Sequence, residues 1–347
     1  NKGTQEAPNY RSRLVGQEFA RGGSRDDLYA PTPPLAAARF LLSTCASCGT
    51  GGAGRQRIVL LDIKKAFLYG KITRNVYIEL PEEDPMSRGG LHVGKLDKTM
   101  YGTRDAPAAW QEELECTLVE LGFKPSLTTP CLHFHPETRI RIVAHVDDML
   151  CVGDKNKLEE FLKLLGTRYQ LKSSFIGPEP KNAKEGQFMG RTIKWEKEGI
   201  TWSGSQKLVD EVLEEWGMTE VNALRTPGAL ETEAEEKEQE EPMGEEDAAK
   251  YRSTAAKLNY VSLDHPQIAF AAKEASRTMS RPRKGDEAKI KRLMRYLRGH
   301  PVATYWFEWQ DPPSTLKGYT DSDWAGCRRT RRSTSGGAIL HLSLIHI

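Results

Sequence analysis

Two adjacent acids define the chemistry open to this chain. Asp147 and Asp148 sit within residues 140–153, which read I-R-I-V-A-H-V-D-D-M-L-C-V-G. The apolar, β-branched runs at 140–146 and 149–152 predict two strands. The acidic pair between them predicts a tight hairpin with both carboxylates at its tip. Carboxylates held side by side between hydrophobic strands repel one another unless a cation lies between them. A hard divalent ion such as Mg²⁺ accepts oxygen donors in that role and keeps positions open for phosphate oxygens. The alternative is an ordinary solvated Asp-Asp turn.

A third acid favours the metal. Residues 57–68 read R-I-V-L-L-D-I-K-K-A-F-L, and the near-continuous apolar run at 58–61 marks a strand buried on both faces. Asp62 falls at its end, where an unpaired charge is costly to bury and needs a reason. Two adjacent carboxylates and one from an earlier strand suit a two-metal phosphoryl-transfer site.

These stretches belong to a longer pattern. L-D-I-K-K-A-F-L-Y-G at 61–70, K-L-D-K-T-M-Y-G-T-R-D-A-P-A-A-W at 95–110 and H-V-D-D-M-L at 145–150 follow one another in order. R-L-V-G-Q-E-F at 13–19 precedes them and Y-T-D-S-D-W-A-G at 319–326 follows. In motif, order and spacing the chain resembles the reverse transcriptase region of the Pol polyprotein of copia-type (Pseudoviridae) LTR retrotransposons, running into the start of ribonuclease H.

That resemblance implies an α+β, right-hand polymerase fold with a helical connection segment and a truncated ribonuclease H-like start. Its divisions would be an N-terminally incomplete fingers and palm (1–202), a thumb-like helix (203–226), an acidic linker (227–247), a connection-like segment (248–310) and the ribonuclease H-like start (311–347). It implies Asp62, Asp147 and Asp148 as catalytic, metal-holding carboxylates for two Mg²⁺ ions, with Mn²⁺ as the substitute. Arg11, Arg13, Ala66, Phe67 and Asp105 fall at nucleotide-binding positions. The aromatic at 67 would exclude a ribose 2′-hydroxyl. Phe188, Met189 and Gly190 match the primer grip, and Asp321 matches the first ribonuclease H carboxylate. One such carboxylate cannot build a two-metal site, so no ribonuclease H activity is expected. Two positions depart from the family: Asp105 stands where Gln is usual, and His145 where Tyr is usual.

The implied partners are an RNA template, a DNA primer and dNTPs, with integrase and the rest of ribonuclease H in the parent protein. The implied setting is a cytoplasmic virus-like particle, with the nucleus as the alternative. The function to expect is RNA-directed DNA synthesis. The competing reading is a catalytically inactive retroelement remnant that binds RNA–DNA duplex.

Several elements must position these residues. Residues 10–19 are the strand-like part of a basic, polar opening, and 34–44 have helical composition. Residues 76–81 alternate and end at proline, as a strand does. Pro107 suits a first helical position, and Trp110, Leu114, Leu118 and Leu121 form one stripe that stops at Gly122. An amphipathic helix is predicted over 157–165, closed by Gly166. Residues 187–202 read as a hairpin, with 188–190 on its first strand and the turn at 198–199. A helix over 206–216, capped by Ser203 or Ser205, carries Leu208, Val209, Val212, Leu213 and Trp216 on one face. Three helices are expected within 248–300, then strands at 304–309 and 315–321.

Composition bounds the rest. The chain has 347 residues and a net charge of +2, with arginines dense in the first sixty residues and again from 281 to 332. Local basic surfaces, rather than overall charge, would therefore meet a phosphate backbone. Residues 227–244 are dominated by glutamate and read as a disordered linker. Mean hydropathy is −0.58. No stretch of about 18 apolar residues appears, so no transmembrane helix and no membrane partner are expected. Six cysteines show no disulfide framework, and the lone C-x-x-C at 45–48 reads as incidental thiols in a reducing compartment.

Overall fold

The computed structural model describes residues 13–19, 28–47, 56–87, 92–229, 241–327 and 330–342. Arg11, Cys48, most of the acidic stretch and the last five residues lie outside them. The chain divides into two compact units: 1–41 with 55–175, and 42–54 with 176–347. The division falls inside the helix α1 (Leu35–Ala46) and near the end of a strand, and the expected boundary at 202/203 lies within the second unit.

The first unit is built on a six-stranded sheet. Its strands are β1 (Gln56–Ile63), β4 (Lys124–Pro125), β5 (Leu132–Phe134), β6 (Arg141–His145), β7 (Asp148–Asp154) and β8 (Leu171–Ile176), in the order β4-β5-β6-β7-β1-β8. β2 (Tyr77–Glu79) and β3 (Val93–Lys95) form a separate small hairpin. The apolar run of β1 is buried on both faces, as its composition requires: Ile58 and Val59 are inaccessible to solvent. Val59, Leu61 and Ile63 share one core with Trp110 and Leu114 of α2 (Ala106–Glu120) and with Leu158 and Phe161 of α3 (Lys155–Gly166). Because successive side chains alternate, Ile58, Leu60 and Asp62 point to the opposite face. Asp154 caps the N-terminus of α3, its carboxylate accepting from the amides of Asn156 and Lys157.

Residues 13–19 form no strand, although their pattern suggested one. Their apolar side chains Leu14, Val15 and Phe19 are exposed, so no core holds them in a ladder.

The second unit combines a sheet and a helical cluster. β9 (Glu185–Phe188), β10 (Arg191–Trp195), β11 (Gly199–Ser203) and β12 (Thr304–Glu308) make an antiparallel sheet in the order β12-β11-β10-β9. The expected single hairpin at 187–202 is thus two successive hairpins, and Met189-Gly190 form a turn rather than strand. Both have positive φ, 50° and 75°, which the twist of a two-residue hairpin favours. The helices α4 (Lys207–Glu215), α5 (Glu245–Val261), α6 (Ala269–Ser276) and α7 (Asp286–Gly299) bury Val212, Tyr251, Ala272 and Leu293 in a second core. α4 begins after Gln206 with no side-chain cap, so neither Ser203 nor Ser205 caps it. β13 (Thr315–Ser322) and β14 (Ser335–Leu342) pair as a hairpin. Among the described residues no helix is long and apolar enough to cross a membrane, and every cysteine is free.

Candidate active site

The strand order brings the three acids together. β1 and β7 pair antiparallel with Asp62 opposite Asp148, and β6 pairs with β7 so that His145 faces Asp148. Cross-strand partners project to one side of a sheet, so Asp62 and Asp148 share the face turned away from α2 and α3. The turn itself is offset by one residue from the acidic pair. Val146 and Asp147 make the turn, and Asp148 opens β7.

Val146 has φ 57°, a conformation that costs a β-branched residue of order 1 kcal/mol or more. Two hydrogen bonds fix it there. The Trp110 indole Nε1 donates to the Val146 carbonyl at 2.6 Å, and the Ile63 amide donates to the Asp147 carbonyl at 2.9 Å. Trp110 is buried on α2, so the helix that packs the sheet also pins the turn.

The electrostatics are those of crowded acids. The Asp148 carboxyl, though its side chain reaches solvent, is pushed above the usual aspartate range. Partial removal from water comes first, then the charges of Asp147 and Asp62, while His145 opposes them. Tyr101 is likewise raised, first by burial and then by Asp147 and Asp62, with the Arg13 charge pulling the other way. Among the described residues no three His, Cys, Asp or Glu side chains converge into a ready-made metal cage. The donors nevertheless suit a hard cation in kind: carboxylates of like charge on two neighbouring interior strands, Asp62 and Asp148, and a third, Asp147, in the adjoining turn.

Tyr101 links the acids to the other expected nucleotide-binding residues. Its ring lies 5.0 Å from Phe67, and the Arg13 guanidinium sits 4.0 Å over it. Ala66 and Phe67 begin a single 3-10 turn after β1, entered through Lys65 in a left-handed conformation, φ 58°. Ala66 is buried and Phe67 is half-buried, with its backbone carbonyl accepting from the Thr99 hydroxyl.

Asp105 precedes α2, but its carboxylate does not cap the helix. It is engaged by Arg74 through Nε at 2.7 Å and Nη2 at 3.1 Å, and Arg74 Nη2 also donates to Glu18 at 2.6 Å. Hydrogen bonding to Arg74 holds both carboxyls below their usual range and raises the guanidinium in turn. Arg74 escaped the sequence reading because it stands in an aperiodic loop, 31 residues from Asp105.

The remaining site residues belong to the second unit. Phe188 is buried at the end of β9, ahead of the Met189-Gly190 turn. Asp321 lies exposed on β13 opposite Gly336. A cavity of about 270 Å³ behind the Met189-Gly190 turn is lined by Arg191, Leu208, Tyr260, Asp264 and His265 among others, and by none of the three carboxylates.

Comparison with known proteins supplies a family. Residues 1–229 match the family model described as reverse transcriptase (RNA-dependent DNA polymerase). The chain is 30% identical over 338 residues to the retrovirus-related Pol polyprotein from transposon TNT 1-94 of Nicotiana tabacum, covering 94% of this chain and 24% of that protein. It is 26% identical over 337 residues to the corresponding polyprotein from transposon RE1 of Arabidopsis thaliana, covering 94% and 21%. The chain spans about a quarter of the length of the curated relatives it matches. With the family model matching most of its length and these relatives aligned nearly end to end with it, the chain belongs to the reverse transcriptase family, as carried in the Pol polyproteins of copia-type retrotransposons.

Proposed function

We propose that this chain is the polymerase core of a retrotransposon Pol polyprotein and copies RNA into DNA by template-directed nucleotidyl transfer. The observation that carries the reading is the placement of Asp62 opposite Asp148, with Asp147 in the adjoining turn. Asp62, Asp147 and Asp148 would hold two Mg²⁺ ions, or Mn²⁺ in their place, which when bound neutralise phosphate charge and favour ionisation of the primer 3′-hydroxyl.

The chain's own residues then divide the work. The primer 3′-oxygen attacks the α-phosphorus of the dNTP, a new P–O bond forms as the bond to pyrophosphate breaks, and the hydroxyl proton leaves to solvent. Arg13, and Arg11 with it, supply positive charge to the triphosphate. Ala66 and Phe67 floor the sugar, where the Phe67 ring, backed by Tyr101, crowds out a 2′-hydroxyl. The turn Met189-Gly190, after Phe188, positions the primer end. Most of the acceleration comes from alignment and charge neutralisation rather than from proton transfer by side chains.

The wider assignments follow the same reading. Fingers and palm would occupy 1–202, the thumb helix 203–226, an acidic linker 227–247 and the connection 248–310. The ribonuclease H-like start would run from 311, with Asp321 as its first carboxylate. RNA template, DNA primer and dNTPs are the substrates, with integrase and the remainder of ribonuclease H elsewhere in the polyprotein. The setting would be a cytoplasmic particle or the nucleus.

Primer extension on an RNA template with Mg²⁺ tests the reading, comparing this chain with Asp147→Asn. Extension should be at least about a thousandfold slower in the variant, roughly 4 kcal/mol of lost transition-state stabilisation. Extension by neither protein, with duplex binding that weakens steeply with salt, would select an inactive duplex-binding remnant instead.

A further inference from the structure

Residues 13–19 carry Arg13 but have little to hold them. Their apolar side chains are exposed, and two backbone hydrogen bonds dock them: the Gly16 amide to the Tyr101 carbonyl at 2.7 Å and the Glu18 amide to the Gly102 carbonyl at 3.3 Å. The approach is close. Gly102 has φ 88°, and a Cβ placed on it would lie 1.8 Å from the Gly16 carbonyl oxygen. A segment without a buried anchor takes its position from polar contacts, and among the described residues its side-chain hydrogen bonds meet at one residue.

That residue is Glu18. Its carboxylate accepts from Arg74 Nη2 at 2.6 Å and from the Arg104 amide at 2.9 Å. Arg74 is itself fixed by the two-pronged contact with Asp105 at the start of α2, and Asp105 is only 7% exposed. A planar guanidinium held at two points on one carboxylate presents the second N–H of its Nη2 in a set direction, which a flexible lysine ammonium would not. The chain of contacts therefore runs from α2 through Asp105, Arg74 and Glu18 to the segment that sets Arg13 over Tyr101.

We propose that Arg74 is a positioning residue for nucleotide binding: it clamps Glu18 against Asp105 and so holds the Arg13 guanidinium over Tyr101. The pair energies alone would be small, because Arg74 and Glu18 are both about 30% accessible and partly screened. The effect lies in where Arg13 is kept. This inference rests on the polymerase reading for its nucleotide and on the contacts alone for its clamp, so the two are tested separately.

The clamp is tested by amide hydrogen exchange on the full chain without nucleotide. Glu18→Gln is the variant of choice, since it leaves the Arg74–Asp105 pair and the fold intact. Gly16 and Glu18 amides should exchange at least about tenfold faster while β1 and β7 keep their protection. Unchanged exchange at Gly16 and Glu18 would overturn the clamp.

The nucleotide role is tested by steady-state extension kinetics. Glu18→Gln and Arg74→Gln should raise KM for dNTP about tenfold with kcat changed by less than about threefold, the pattern of lost ground-state positioning. Because both act through Arg13, Arg13→Gln combined with Glu18→Gln should be no worse than Arg13→Gln alone. Additive losses, or an unchanged KM, would overturn the positioning role. An unmodified chain that extends no primer would overturn the polymerase reading and with it the nucleotide role, while the exchange experiment still decides the clamp.

Discussion

Two hairpin turns in this chain are held by the same device, one with a neutral donor and one with a charged donor. At 146–147 the carbonyl of the first turn residue accepts from the Trp110 indole at 2.6 Å. At 189–190 the carbonyl of the first turn residue accepts from Arg191 Nη1, also at 2.6 Å. Both anchors are more than nine-tenths buried. The difference is charge. Arg191 brings a cation, which Asp264 neutralises through a 2.8 Å bond to Nε and which Tyr260 also contacts. Trp110 brings none. A guanidinium beside Asp147 would neutralise the acids and compete with a metal for them. A neutral donor fixes the turn and leaves its carboxylates free to act.

The comparison can be broken at its charged end first. Asp264→Asn leaves Arg191 buried without its counter-ion, and the expected cost is about 3–5 kcal/mol of stability, measured as the urea midpoint of the chain. A loss below about 1 kcal/mol would mean that water already reaches Arg191 and that the two anchors are less different than their surroundings suggest. At the neutral end, Trp110→Phe keeps most of the packed ring but removes the donor. It should lower stability by roughly 1–2 kcal/mol while slowing extension by more than that loss explains, because the Val146-Asp147 turn relaxes. Equal extension rates at matched folded fraction would separate the indole bond from the site. The smallest effect tests the strain. Val146→Gly should stabilise the chain by up to about 1 kcal/mol, since glycine accepts φ 57° without penalty. A loss of stability there would show that valine's contacts outweigh its backbone cost.

The same turn shows what was legible in the sequence. The strands flanking Asp147 and Asp148 were readable because β-branched runs bounded by acids have few other interpretations, and the burial of Ile58 and Val59 followed from an unbroken apolar run. The turn's position was not readable. Val146 looks like strand by type, and only the distant Trp110 and Ile63 force it into the turn. Met189-Gly190 misled in the same way, methionine in a left-handed conformation being a poor local signal. Arg74 and Glu18 carried no periodicity at all, and their meaning arises from contacts across 56 residues of chain. Local chemistry names the acids, whereas the polar fasteners around them exist only in three dimensions.

The contact between Gly102 and Gly16 bears on how copies of such an element decay. Any side chain at 102 would strike the backbone of the docked segment, so one drifted codon could undo the docking while leaving an open reading frame and all three aspartates. A census of genomic copies scored by intact frame and intact carboxylates would then count copies with an undocked segment as whole, and position 102 offers a finer sieve than either criterion.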